Sequence, residues 1–215
     1  MSPALTVVLI ALAGAALALV VLERGSGGTQ RLALVASLGA VAAAGRVLFA
    51  PIPSVQPVTV ICLATGATLG ARAGIAVGAL APLISNAFLG QGPWTPAQMA
   101  LWAGVGASGA LLGRAAANPI AFAAAAAAWG ITFGWAMNAW FLAVFGPELS
   151  IEALLVTGAR SLPFDIAHLV GNVVIALLVG PALVRMLGRY AARTGIGPSR
   201  IRLQGAGGVV GRAVR

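Results

Sequence analysis

The sequence predicts an all-α fold, a polytopic membrane helix bundle. Three observations predict it. Sixty per cent of the 215 residues are hydrophobic and 8% are charged, whereas a soluble domain carries about 25% charged residues. Mean hydropathy is +1.00. The apolar residues also fall into runs near the 20 or so residues that a helix needs to cross a bilayer. A soluble single-domain enzyme is excluded as the default, because 13 basic and 4 acidic side chains cannot cover its surface.

Seven runs follow in order. The first, 3–22, lacks a charged region before it and a clean small-residue cleavage site after it, so it reads as an uncleaved helix rather than a signal peptide. The second, 31–50, ends at Pro51 and Pro53. The third, about 56–70, is short. The fourth, 72–89, contains Pro82. The fifth, 96–113, opens with Thr95-Pro96-Ala97-Gln98, which fits a capping box with Thr95 as N-cap and Gln98 reaching back. The sixth, about 119–145, opens with the N-cap and proline of Asn118-Pro119. The seventh, 162–188, has Pro181 near its end. Gly70 and Gly113 stand where helices should stop.

All 13 basic residues are arginines, and their placement sets the orientation. With the N-terminus outside, Arg24, Arg31, Arg72, Arg114 and the seven arginines from Arg185 onward fall on the cytoplasmic side. Arg46 and Arg160 lie toward the outside, as do Gln91, Glu148 and Glu152. The chain divides into residues 1–30, an extra N-terminal helix and loop; 31–190, a six-helix membrane domain; and 191–215, a basic tail. That tail is either drawn to anionic lipid or simply solvated. The pI near 11.9 therefore reflects topology rather than nucleic-acid binding. Ala, Gly, Pro and Arg bias suggests GC-rich coding and a prokaryotic cell membrane.

Several chemistries drop out. Without lysine there is no Walker-type phosphate loop and no Schiff base. One cysteine, Cys62, and one histidine, His168, exclude an internal disulfide and a Cys/His metal cluster. No nucleophile elbow or HExxH motif appears. The expectation is a non-enzyme with no cofactor and no metal.

Polar residues inside a membrane are costly and mark functional sites. Arg46 lies one turn inside the outer end of the second run, and Asp165 one turn inside the outer end of the seventh. They either pair with each other, offsetting their burial, or divide between ligand and partner. Asp165, His168 and Asn172 share one helix face. Asn86, Asn138, Gln91, Trp94, Gln98 and Trp102 gather toward the same end, with Trp135 and Trp140 flanking Asn138. The tryptophans read as a ligand pocket or as an interfacial belt. Small residues at stride four, Ala36/Ala40/Ala44, Gly66/Gly70/Gly74/Gly78 and Gly109/Gly113, allow close helix approach. Each strip either packs this bundle or faces a partner.

Three segments carry a family resemblance. They are Gly45-Arg46 with Pro51-Ile-Pro-Ser-Val-Gln-Pro57, Ser85-Asn86-Ala-Phe-Leu-Gly-Gln-Gly-Pro-Trp-Thr-Pro96, and Pro163-Phe-Asp-Ile-Ala-His-Leu-Val-Gly-Asn172. Over roughly residues 31–190 the chain resembles the substrate-binding S components of energy-coupling-factor (ECF) transporters, prokaryotic vitamin importers. The resemblance implies a six-helix core, here extended by the extra helix 3–22. It implies a vitamin-like ligand, most similar to cobalamin or a precursor, held near the external face by Arg46, Gln56, Asn86, Gln91, Trp94, Gln98, Asn138, Asp165, His168 and Asn172. It further implies a transmembrane coupling subunit that meets Ala36, Ala40 and Ala44, and two cytoplasmic ATPases. An ion-gradient-driven secondary transporter using Asp165 is the alternative, against which the lack of an inverted repeat counts.

Overall fold

A computed structural model describes residues 28–146 and 149–196. The first predicted run, most of the basic tail and Glu148 lie outside the described residues. Seven α-helices follow in order: α1 Gly28–Leu48, α2 Val58–Leu69, α3 Ala71–Leu89, α4 Trp94–Leu112, α5 Pro119–Phe145, α6 Ile151–Leu178 and α7 Gly180–Thr194. A 3₁₀ turn, Gly113–Ala117, joins α4 to α5. Among the described residues every regular element is helical.

Four helices, α1, α3, α5 and α6, are long and apolar enough to cross a membrane. The chain is therefore a helical membrane protein. The other two predicted spans differ. Helix α2 has 12 residues, all buried; at 1.5 Å per residue it covers about 18 Å of a hydrocarbon core about 30 Å thick. It forms the centre of the bundle rather than a lipid-facing span. Helix α4 has 19 residues, but Gln98, Pro96, two tryptophans and three glycines keep its mean hydropathy below that of the four spanning helices.

Start and stop signals mark three of the boundaries. Asn118 Oδ1 accepts from the backbone N–H of Ile120 at 2.9 Å and of Ala121 at 3.2 Å, with Pro119 at the first helical position. Gly70 at φ 91° and Gly113 at φ 48° end α2 and α4.

Two expectations are corrected. Thr95 is not an N-cap: α4 begins at Trp94, and its flanking residue, Pro93, has no side-chain cap. Thr95 and Gln98 instead turn their side chains toward α3, where the buried Asn86 amide donates to both. The seventh run is not one helix over 162–188. Ser150 caps an earlier start, its Oγ accepting from Ala153 N–H at 3.1 Å, and α6 runs through Pro163 to Leu178. Pro181, in the first turn of the next helix, cannot donate to the preceding turn, so a separate helix starts there. Helix α7 buries Leu187 and Ala191 and exposes Arg185, Arg189 and Arg193.

The glycine strips pack the bundle itself. A Cβ on Gly74 would strike the Gly106 backbone, one on Gly78 the Trp102 carbonyl, and one on Gly109 the Leu63 carbonyl. Helices α2, α3 and α4 thus touch backbone to backbone, as small residues permit in lipid. The alanine strip behaves differently: Ala36, Ala40 and Ala44 are all exposed on α1.

Candidate functional site

The loop between α1 and α2 starts the site. Gly45 lets α1 end against Pro57, whose ring would collide with any Cβ there. Between Pro51 and Pro57 the chain turns tightly, with Ser54 at φ 61°, a conformation that costs energy for a non-glycine residue. The result sets Gln56 beside Arg46.

Arg46 is the hub. Its Nε donates to Gln56 Oε1 at 3.1 Å, Nη1 to Ser85 Oγ at 2.7 Å and to Asn86 Oδ1, and Nη2 to Gln98 Oε1 at 3.3 Å. The guanidinium also lies over the Trp102 ring, 5.1 Å from its centroid, within cation–π range. Residues from α1, the α1–α2 loop, α3 and α4 thus converge on one charge.

A guanidinium only donates, so it orients the amides around it. Asn86 turns Oδ1 to Arg46 and its NH₂ to Thr95 Oγ1 at 2.8 Å and Gln98 Oε1 at 2.9 Å. Thr95 in turn donates to Gln91 Oε1 at 2.8 Å, and Gln91 Nε2 donates to the Leu83 carbonyl at 3.0 Å. The donor direction runs from Arg46 outward to the α3–α4 loop.

Two further groups lie beyond this network. Trp102, fully buried, donates through Nε1 to Thr59 Oγ1 at 3.4 Å, and Thr59 Oγ1 lies 3.5 Å from His168 Nε2. Phe133 bridges the same residues, 4.5 Å centroid to centroid from Trp102 and 5.5 Å from His168. The other group is Asp165, 4% exposed. Ser161 donates to its Oδ2 at 2.9 Å, and Asn138 Nδ2 donates to Ser161 Oγ at 2.7 Å. Gly134 leaves room for the carboxylate, since a Cβ there would occupy the position of Oδ1.

Of the two arrangements expected for Arg46 and Asp165, the direct pair is not formed. Each is held by neutral partners on its own side: Arg46 by α1–α4, Asp165 by α5 and α6. Asn172 belongs to neither group. It is fully buried and donates to the Ala126 carbonyl of α5 at 3.1 Å, tying α6 to α5. Trp94, 39% exposed, donates to the Gly90 carbonyl of its own loop at 3.3 Å. Trp135 packs at Gly158. Sequence reasoning missed Ser85, Thr59 and Ser161 as partners. Their signal was spacing: Ser85 adjoins Asn86, Thr59 follows Gln56 by three, and Ser161 precedes Asp165 by four.

The opposite end has another character. Arg31 donates to the Leu69 carbonyl at 3.3 Å. A cavity of about 610 Å³ there is lined by small and apolar residues of α2, α4 and α7, with Arg114 at its edge. Among the described residues no three His, Cys, Asp or Glu side chains gather as a metal site. No protein-family model, curated protein or solved structure matches the chain.

Proposed function

We propose that the chain is the substrate-capture subunit of an ECF-type importer, binding a vitamin or vitamin precursor of the corrinoid class. Its six-helix core then spans 31–190, its N-terminus faces outward, and its C-terminus is cytoplasmic in a prokaryotic cell membrane. The observation that carries this reading is the Arg46 network. Four polar side chains bonded to one guanidinium, placed within a membrane bundle and away from the arginine-rich end, are costly to keep without a task. The exposed strip Ala36, Ala40 and Ala44 supports a coupling subunit, because a flat small-residue face admits a second helix. Separate ATPases supply the energy.

Reconstitution tests the reading. Uptake of a cyano-corrinoid into vesicles should need this chain, the coupling subunit, both ATPases and ATP. Uptake by this chain alone, driven by a proton gradient, refutes it. That second result belongs to the alternative, a secondary transporter, which the burial of Asp165 beside Ser161 favours; Asp165→Asn would then abolish uptake.

A further inference from the structure

Arg46 is half-buried, and all four of its hydrogen-bond partners are neutral: two amides of glutamine, one of asparagine and a serine hydroxyl. Among the described residues no carboxylate touches it, and Asp165 is occupied by Ser161. A charge withdrawn from water needs a counter-charge as well as hydrogen bonds. We infer that the ligand supplies it: the substrate carries an oxyanion, a carboxylate or phosphate, that docks on Arg46. This deepens the capture-subunit reading and rests on it for the ligand's role in transport.

The hydrogen bonding admits such an exchange. The guanidinium has five N–H groups, and the bond to Gln98 Oε1, 3.3 Å, is the longest of the four. An arriving oxyanion that takes both Nη2 hydrogens displaces Gln98. The displaced Gln98 Oε1 keeps its second donor, Asn86 Nδ2 at 2.9 Å, so no buried acceptor is orphaned. Ser85 is equally secure, because its own hydroxyl donates to the Ala81 carbonyl at 2.8 Å. Arg46 can therefore change partners without breaking the network that orients it.

Benzoate and benzamide, equal in shape and different in charge, are the probes. Their binding to the purified full chain in detergent is read from the shift of its thermal unfolding, at constant ionic strength with chloride as balance, and phosphate is run beside them. Benzoate or phosphate should bind about 10- to 100-fold better than benzamide, the scale of charge-assisted hydrogen bonds. The preference should vanish in Arg46→Gln. Because that variant strips the hub, Gln98→Glu is the second test: it places an anion beside Nη2 internally, so the chain should stay folded and lose its oxyanion response. Equal binding of benzoate and benzamide, no response to any oxyanion, or an undiminished response in Gln98→Glu overturns the inference. Oxyanion binding that persists while corrinoid uptake proves independent of a coupling subunit keeps the anion site and removes the importer reading.

Discussion

A double-mutant cycle between Arg46 and Asp165 tests the arrangement of the two charges. The cycle uses Arg46→Gln and Asp165→Asn, which keep approximate shape and remove charge. Arg46 makes four hydrogen bonds to other elements. Side-chain hydrogen bonds between membrane helices average about 0.6 kcal/mol, and the cation–π contact with Trp102 adds about 1 kcal/mol. Relief of guanidinium desolvation offsets part of this. The single change should therefore cost about 2 kcal/mol, chiefly by leaving Asn86 Oδ1 without its donor. Asp165→Asn should cost about 1 kcal/mol, since Ser161 can donate instead to the Gly158 carbonyl, 3.1 Å away. The two residues share no partner, so their effects should add to within about 0.5 kcal/mol. Reversible unfolding in mixed micelles, followed by tryptophan fluorescence and circular dichroism, gives the four stabilities. A coupling energy above about 1.5 kcal/mol would mean that the charges pair in the folded protein, and the separation described here would be wrong.

Three other predictions rest on the packing and on the placement of the arginines. If the chain is the proposed capture subunit, Ala40→Trp, on the exposed strip of α1, should abolish uptake by the assembled importer while leaving ligand binding by the isolated chain within about twofold; normal uptake would remove the strip from the proposed coupling face. Gly106→Ala should destabilise the bundle by about 1–3 kcal/mol through overpacking, because a Cβ there meets the Gly74 backbone. Gly104→Ala, where the nearest atom is Trp129 Cη2 at 3.4 Å, should be nearly neutral, and equal melting temperatures for the two variants would contradict the backbone contact. After Cys62→Ala, a cysteine at position 91 should react with an impermeant maleimide from outside intact cells and one at 115 only after permeabilisation; the reverse pattern would invert the orientation.

The helices were legible where a chemical signal marked their ends. Asn118-Pro119, Gly70 and Gly113 stand at real boundaries because a cap or a positive φ is a local requirement. Thr95 misled because a threonine before a proline satisfies the N-cap pattern equally well when a tertiary partner claims its hydroxyl. The break at Pro181 was visible, yet hydropathy alone joined α6 to α7 because the junction is as apolar as its flanks. The convergence of Arg46, Asn86, Gln91 and Gln98 followed from end-of-helix positions that several loops bring to one level, whereas Gln56 entered only through the family resemblance. The separation of Arg46 from Asp165 did not follow. Depth along a helix can be counted from sequence, but the direction in which the helix turns its side chain depends on which neighbour it packs against.

Packing and site are one problem in this chain. Asn86 lies eight residues beyond Gly78 on α3, and Gln98 lies four before Trp102 on α4, so both amides lie on the same side of the place where Gly78 meets the Trp102 carbonyl, toward Arg46. A backbone contact of that kind leaves little freedom to slide, since any displacement would drive one main chain into the other. It therefore fixes the register of α3 against α4, and with it the 2.9 Å bond between Asn86 and Gln98. In water a loosened amide finds solvent; within a membrane it has none. The glycines of this pair thus do more than save space. They hold two amides where a single guanidinium can orient them both.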